Sequence, residues 1–192
     1  MATSKRKGGS GARSQPIAIE MLTADHRTVE DLFDRYESEK ESDDDTKRGI
    51  AQRICGELTV HAQVEEELFY PWLRENLDED DMEMVEEAQV EHQTAKDLIA
   101  QIEGASEIDE TYDAKVKVLG EYIKHHVKEE ENEIFPSVAS EKEALDELGQ
   151  EMMARKVELM EELGLMAEEG EGAPAGAERG KSRSQQPSQR QR

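Results

Sequence analysis

The strongest constraint on the fold of this chain is an internal repeat of two helical segments. The stretch DHRTVEDLF (25–33) resembles EHQTAKDLI (91–99) at an offset of 66 residues. In the same way, HAQVEEELFYP (61–71) resembles HVKEEENEIFP (126–136) at an offset of 65. The repeated unit is therefore a pair of helices that is used twice. Two such antiparallel hairpins predict an all-α, up-down-up-down four-helix bundle, in which inward-facing residues of all four helices converge.

Each of the four segments has apolar residues at steps of three and four, which is typical of an amphipathic helix. One position on each apolar stripe is a histidine instead, and in the second and fourth segments a glutamate follows it one helical turn later on the same stripe. Glu30 has the same spacing after His26, but Lys96 at the equivalent position of the repeat indicates that Glu30 is exposed. An imidazole or carboxylate that is buried without a partner costs several kcal/mol, so these side chains are expected to have a binding partner. The six residues are His26, His61, Glu65, His92, His126 and Glu130.

Metal ions would satisfy all six side chains. Residues four positions apart lie on the same face of a helix, so each His-x-x-x-Glu pair can direct a nitrogen and an oxygen at one point. Imidazole binds iron, zinc, copper and nickel, and a carboxylate can bridge two ions. Four nitrogens and two carboxylates in a duplicated arrangement therefore predict a site for two metal ions that share the carboxylates.

A second His-x-x-x-Glu pair overlaps the last one, because His125 and Glu129 have the same spacing as His126 and Glu130. The repeat favours the latter pair, since its histidine, like the histidine of the first hairpin, lies ten residues before a proline. Val118, in contrast, lies in phase with the former pair. Both registers remain open at the level of sequence.

The residues around the two pairs are predicted to have structural roles. Pro71 and Pro136 are expected to end the regular parts of the second and fourth helices, and Tyr70 is expected to pack at the end of the bundle. The remaining acidic residues are predicted to form a solvated face. They are Glu66, Glu67, Glu129, Glu131 and Glu133.

A fifth helical segment follows the repeat and contains no histidine. Its apolar stripe is predicted to include Leu145, Leu148, Met152, Val157, Met160 and Leu163. Ser140 and Glu143 predict a capping box at its start, and Gly164 predicts its end. Its methionine-rich face predicts packing against the outside of the four-helix core, and the same face could serve as a homodimer surface. The predicted organisation is a disordered basic tail (1–16), the bundle (17–136), the additional helix (137–168) and a second disordered basic tail (169–192).

The charge of the chain restricts its partners. Residues 1–16 and 171–192 carry +4 and +3, so the segment between them carries −30 within a net charge of −23. Such an acidic body is expected to repel nucleic acids and anionic membranes. The single cysteine excludes an intramolecular disulfide and multi-cysteine metal sites. We therefore expect a cytoplasmic protein with no specific nucleic-acid or membrane partner.

The ligand pattern, with each His-x-x-x-Glu followed by an aromatic residue and a proline, resembles the hemerythrin-like (HHE cation-binding) domain family over about residues 17–136. The resemblance implies a four-helix bundle that holds a non-haem di-iron centre with an oxo or hydroxo bridge, on the six residues above. Oxygen carriers of this family have a further histidine where this chain has Lys96. The set of four histidines and two glutamates looks more like the iron-centre repair branch.

The expected function is that of a di-iron module that binds or senses O2, NO or peroxide, or handles iron, in a stress or redox response. The sequence contains no Ser-His-acid set, glycine-rich phosphate loop or zinc-type cysteine spacing, so no catalytic residue is predicted. One alternative is a di-iron oxidoreductase or iron-centre repair protein of the NO reductase or peroxidase type. The other is a metal-free helical interaction protein.

Overall fold

The structure, a computed structural model, describes residues 15–78 and 82–166, and the predicted all-α bundle with an additional C-terminal helix is confirmed. No strand occurs in these two ranges. Two π-helical turns, Glu65–Phe69 and Glu130–Ile134, interrupt the α-helices. The α-helices are α1 (Ile17–Ser38), α2 (Asp44–Val64), α3 (Tyr70–Asn76), α4 (Met82–Glu103), α5 (Glu110–Glu129), α6 (Phe135–Val138) and α7 (Lys142–Glu162).

Short loops join the helices of each hairpin, and an aspartate fixes the start of the second helix in both hairpins. The Asp43 carboxylate accepts a hydrogen bond from the Thr46 N–H at 3.0 Å, and the Asp109 carboxylate accepts one from the Tyr112 N–H at 2.8 Å. These bonds satisfy N–H groups that have no partner within the first helical turn. Helix α1 packs on α2 and α5, and α4 packs on α5 and α2, which closes the four-helix bundle.

The sequence predicted that the two prolines of the repeat end their helices, but they do not. The chain remains helical through Pro71 and Pro136, because each proline is the second residue of the α-helix that follows a π-helical turn. In the first of these turns the Tyr70 N–H bonds to the carbonyl of Glu65, five residues earlier. We attribute the continuity to this wider turn, which accommodates a residue that lacks an N–H and would clash in a regular α-helix.

The apolar interior has two parts. One cluster lies at the proline end of the bundle and includes Leu22, Val64 and Phe69. The other lies at the opposite end and includes Val29 and Ile54. Along every long helix of the bundle, the change from one cluster to the other occurs at the histidine of the repeat, so a polar layer separates the two apolar clusters.

Helix α7 packs across α1 and α2. Its approach to α1 is close at Gly149, where a Cβ atom would lie 2.5 Å from the backbone nitrogen of Ala18. The Asp146 carboxylate accepts a hydrogen bond at 2.9 Å from the N–H of Ile17, the first residue of α1. The additional helix therefore both covers α1 and supports its start.

Two details of α7 differ from the sequence prediction. The expected capping box is absent, because the Ser140 hydroxyl bonds to the Glu141 side chain and no side chain caps the helix. Val157 and Leu163 were expected on the apolar stripe but are 47% and 49% exposed, and Leu159 is buried instead.

The predicted tails lie almost entirely outside the described residues. Among the helices that the structure describes, none is long and apolar enough to cross a membrane.

Candidate metal centre

The structure brings the six sequence-predicted ligands together in the polar layer of the bundle. The two glutamates are fully buried, and the exposed fraction of the four histidines is 2–6%. Each of the four long helices of the bundle contributes one histidine, and the π-helical turns begin with Glu65 and Glu130. The wider turn thus starts at each glutamate and sets the direction in which its side chain points.

Each glutamate lies between histidines of different hairpins. One oxygen of Glu65, Oε2, is 3.1 Å from His61 Nε2 and 3.3 Å from His92 Nε2. The equivalent oxygen of Glu130 is 3.2 Å from His26 Nε2 and 3.6 Å from His126 Nε2. Each carboxylate therefore lies within reach of donor atoms from both hairpins.

The histidines pair within each hairpin. The ring centroids of His26 and His61 are 4.9 Å apart, and those of His92 and His126 are 4.7 Å apart. The donor atoms accordingly form two groups, in each of which all atoms lie within 4.8 Å of one another. One group holds His26, His61, Glu65 and Glu130, and the other holds Glu65, His92 and His126.

Several of these atoms are buried without a hydrogen-bond partner, which tests whether the residues fit a metal ion. Among the described residues, the inward-facing atoms His26 Nε2 and His61 Nε2, both oxygens of Glu65 and one oxygen of Glu130 have no such partner. A buried polar atom without a partner costs about 1–3 kcal/mol. A bound cation would satisfy these atoms, so the donor set fits a metal centre.

The competing pair of the sequence analysis lies outside this layer. His125 is 57% exposed and Glu129 31% exposed, whereas His126 and Glu130 face the interior. Val118, which had favoured the competing register, is 47% exposed.

Comparison with known families agrees with this geometry. The model of the hemerythrin HHE cation-binding domain matches residues 17–138, which is more than half of the chain. The chain belongs to this hemerythrin family. Together with the clusters of histidine and glutamate, the match indicates a metal-binding hemerythrin-like module.

One curated relative and the solved structures complete the comparison. A DNA nickase of Nostoc sp. (strain PCC 7120) is 27% identical to this hemerythrin-like chain over 157 residues. The match covers 80% of the chain but 43% of the relative, so the chain spans less than half of the length of that protein. No solved structure matches the chain significantly.

A carboxylate lies behind each histidine of the hemerythrin-like centre. Two of these carboxylates were predicted to be solvated, but Glu131 accepts a hydrogen bond from His26 Nδ1 at 2.9 Å and Glu66 accepts one from His92 Nδ1 at 3.0 Å. Both directly follow a glutamate of the predicted ligand set and occupy equivalent positions of the repeat. A carboxylate in this position orients the imidazole and fixes which nitrogen faces inward.

The other two outer carboxylates directly precede a histidine in the sequence, and sequence reasoning missed both. Glu91 accepts a hydrogen bond from His126 Nδ1 at 2.8 Å, and Asp25 lies 3.7 Å from His61 Nδ1. Asp25 and Glu91 occupy equivalent positions of the repeat, as do Glu66 and Glu131. The outer carboxylates are therefore duplicated in the same way as the inner donors.

Tyr70 is part of the centre, although the sequence predicted a packing role for it. Its side chain is fully buried, and its hydroxyl donates a hydrogen bond to Glu130 Oε1 at 3.0 Å and lies 3.2 Å from His92 Nε2. The equivalent residue of the second hairpin is Phe135, which has no hydroxyl. This mismatch within the repeat was the available signal.

Nearby carboxylates raise the pKa of two of the inner histidines. Burial alone lowers the pKa of His92, but the Glu65 carboxylate at 3.3 Å and the hydrogen bond to Glu66 outweigh it and raise the pKa to about 9. Burial also opposes a charge on His61, yet the Glu65 carboxylate and Asp25 raise its pKa well above the ordinary value. Metal binding must therefore release protons from these imidazoles.

A small apolar cavity adjoins the histidines on the side away from the prolines. Its volume is about 20 Å³, and its walls include Val29, Leu58, Ile99 and Ile123. A cavity of about 10–15 Å³ already holds one water-sized molecule. The cavity therefore has room for a small ligand and offers it almost no polar partner apart from the centre.

Proposed function

We propose that the protein is a non-haem di-iron module that binds O2, NO or peroxide and acts in a redox or stress response. The observation that carries the proposal is the position of two buried carboxylates, each between histidines of different hairpins. The buried donor atoms that lack partners give it further support. The proposed ligands are His26, His61, Glu65, His92, His126 and Glu130.

Two iron ions, joined by an oxo or hydroxo bridge, would supply one-electron chemistry and affinity for diatomic ligands or peroxide. The chain supplies the position, the orientation and the exclusion of water. The outer carboxylates hold the imidazoles with one nitrogen inward, and Tyr70 donates a hydrogen bond to a proposed ligand, Glu130. The apolar cavity beside the histidines would admit a small ligand and keep bulk water away.

We propose a location in the cytoplasm, where the single cysteine would remain reduced.

We favour binding or sensing of the small ligand over catalytic turnover. Anaerobic addition of excess NO to the diferrous protein, with an excess of a reductant that does not itself consume NO, separates the two functions. A binding module should take up NO in stoichiometric amounts and release no further product. Continuous formation of N2O would instead establish the alternative, an oxidoreductase. Zinc-loaded protein is the control, because zinc has no redox chemistry.

The DNA nickase among the relatives raises a second candidate function, since two metal ions can also activate water for phosphodiester hydrolysis. The charge of −30 on residues 17–170 opposes it, because DNA would be repelled. We therefore expect no nicking of supercoiled plasmid by protein loaded with Fe2+, Mn2+ or Mg2+. Nicking that disappears in the variant Glu65→Gln/Glu130→Gln would replace our proposal with this one.

A further inference from the structure

We propose that His125, Glu129 and Glu91 form a third divalent-cation site, at the surface, from which cations pass to the inner centre. The inference rests on the proposed function only for the destination of the cation. It concerns His125 and Glu129, which the sequence offered as an alternative ligand pair and which lie outside the polar layer in the structure.

The three side chains offer a donor set suited to a divalent transition metal. His125 Nε2 lies 3.1 Å from Glu129 Oε1, one helical turn further along α5, and 3.8 Å from Glu91 Oε1 on α4. All three donor atoms lie within 4.8 Å of one another. One imidazole and two carboxylates bind Fe2+, Mn2+ or Zn2+ readily, whereas an exposed cluster of acids alone would not be selective.

Glu91 gives an independent reason to place a cation here. Its side chain is 92% buried, and one oxygen is held by His126. The other oxygen, Oε1, makes no hydrogen bond to any residue that the structure describes, and it points toward His125. Because no N–H or O–H group of the described residues donates to this oxygen, which lies 3.8 Å from His125 Nε2, it remains available as a ligand for a cation.

The other three outer carboxylates each form an ion pair with a lysine or arginine side chain, and Glu91 does not. Arg27 pairs with Glu131, Lys96 with Glu66, and Lys156 of α7 with Asp25. Within residues 15–78 and 82–166, Glu91 alone of the four has no lysine or arginine partner. A divalent cation on His125 and Glu129 would complete the pattern.

A narrow cleft leads from the surface site to the inner centre. It lies between α4 and α5, has a volume of about 40 Å³, and is lined by Glu87, Glu133 and Glu129 near the surface. At its inner end it reaches Glu130, which is fully buried and has one oxygen without a hydrogen-bond partner. Acidic walls concentrate cations and raise their rate of association.

The test uses the full chain, metal-free and anaerobic, with Fe2+ as the probe. Equilibrium dialysis should find about three Fe2+ per wild-type chain and about two in His125→Asn/Glu129→Gln. Uptake by the inner centre at limiting Fe2+, followed through chelator competition, should be about tenfold slower in the variant, with the same final content. Glu121→Gln is the matched control, because it removes the same charge from an exposed site on the same helix.

The outcomes that would refute the inference are distinct from those that would refute the proposed function. A third Fe2+ that persists in the double variant would exclude the surface site, and unchanged uptake with loss of that ion would exclude the path. In Glu65→Gln/Glu130→Gln, checked for helix content by circular dichroism, we expect one Fe2+ on the surface site. If wild type also binds only that one ion, the proposed di-iron function fails while the surface site stands.

Discussion

At the scale of single residues, the orientation of an inner histidine depends on a carboxylate behind it. Glu131 illustrates this, because it holds His26 Nδ1 and is itself held by Arg27. Its neighbour along the chain, Glu130, faces inward and is fully buried. Two consecutive glutamates of the π-helical turn Glu130–Ile134 therefore have different roles, because their side chains point in different directions.

Replacement of Glu131 by alanine should weaken metal binding by about 10–100-fold, because His26 would lose the acceptor that orients it. Chelator competition measures the affinity. Glu121→Ala is the matched control, since Glu121 is exposed, pairs with Lys117 and lies away from the histidines of the centre. Equal affinities of the two variants would show that Glu131 has no positioning role.

Replacement of Tyr70 by phenylalanine should destabilise the metal-free protein by about 1–3 kcal/mol, because one oxygen of the buried Glu130 would lose its hydrogen-bond donor. Urea unfolding of wild type and variant measures this difference. Tyr122→Phe is the control, since Tyr122 is half-buried and its hydroxyl makes no hydrogen bond to the described residues. If Tyr70→Phe is as stable as wild type, the hydrogen bond from Tyr70 to Glu130 does not stabilise the centre.

At the scale of elements, α7 is fixed to the bundle by a contact that leaves no room for a side chain. Gly149→Ala would place a methyl group against the backbone of α1, which should cost about 1–3 kcal/mol of unfolding free energy. Gly49→Ala in α2 is the opposite control, because no atom lies within 4 Å of the added Cβ. There we expect a gain of up to about 1 kcal/mol. Denaturant midpoints of both variants test the pair, and a neutral Gly149→Ala would contradict the packing of α7.

Periodicity and the repeat were sufficient to predict the long helices and their pairing, because both depend on the spacing of apolar residues. The π-helical turns were not predictable from the same signals, since a proline such as Pro71 ordinarily marks the end of a helix. The face of α7 was only partly predictable. Val157 and Leu159 are both apolar, and only the contact with α1 and α2 decides which one is buried.

At the scale of the whole molecule, the six inner residues could be predicted because their chemistry conflicts with an apolar stripe. The outer carboxylates could not, since nothing local distinguishes Glu66 from Glu67. In the structure Glu66 bonds to His92 of the other hairpin, while Glu67 pairs with Arg155 of α7. These partners depend on how the hairpins and α7 pack, which the spacing of residues within one segment does not determine.

The iron content of the reconstituted protein tests the central claim most directly. Metal-free chain should be incubated anaerobically with Fe2+, passed through a desalting column that removes weakly bound ions, and analysed for metal. The account predicts about two iron ions per chain, with near-ultraviolet charge-transfer absorption after oxidation and loss of both in Glu65→Gln/Glu130→Gln. Fewer than about one iron per wild-type chain, or an unchanged content in the variant, would contradict a di-iron centre on these residues.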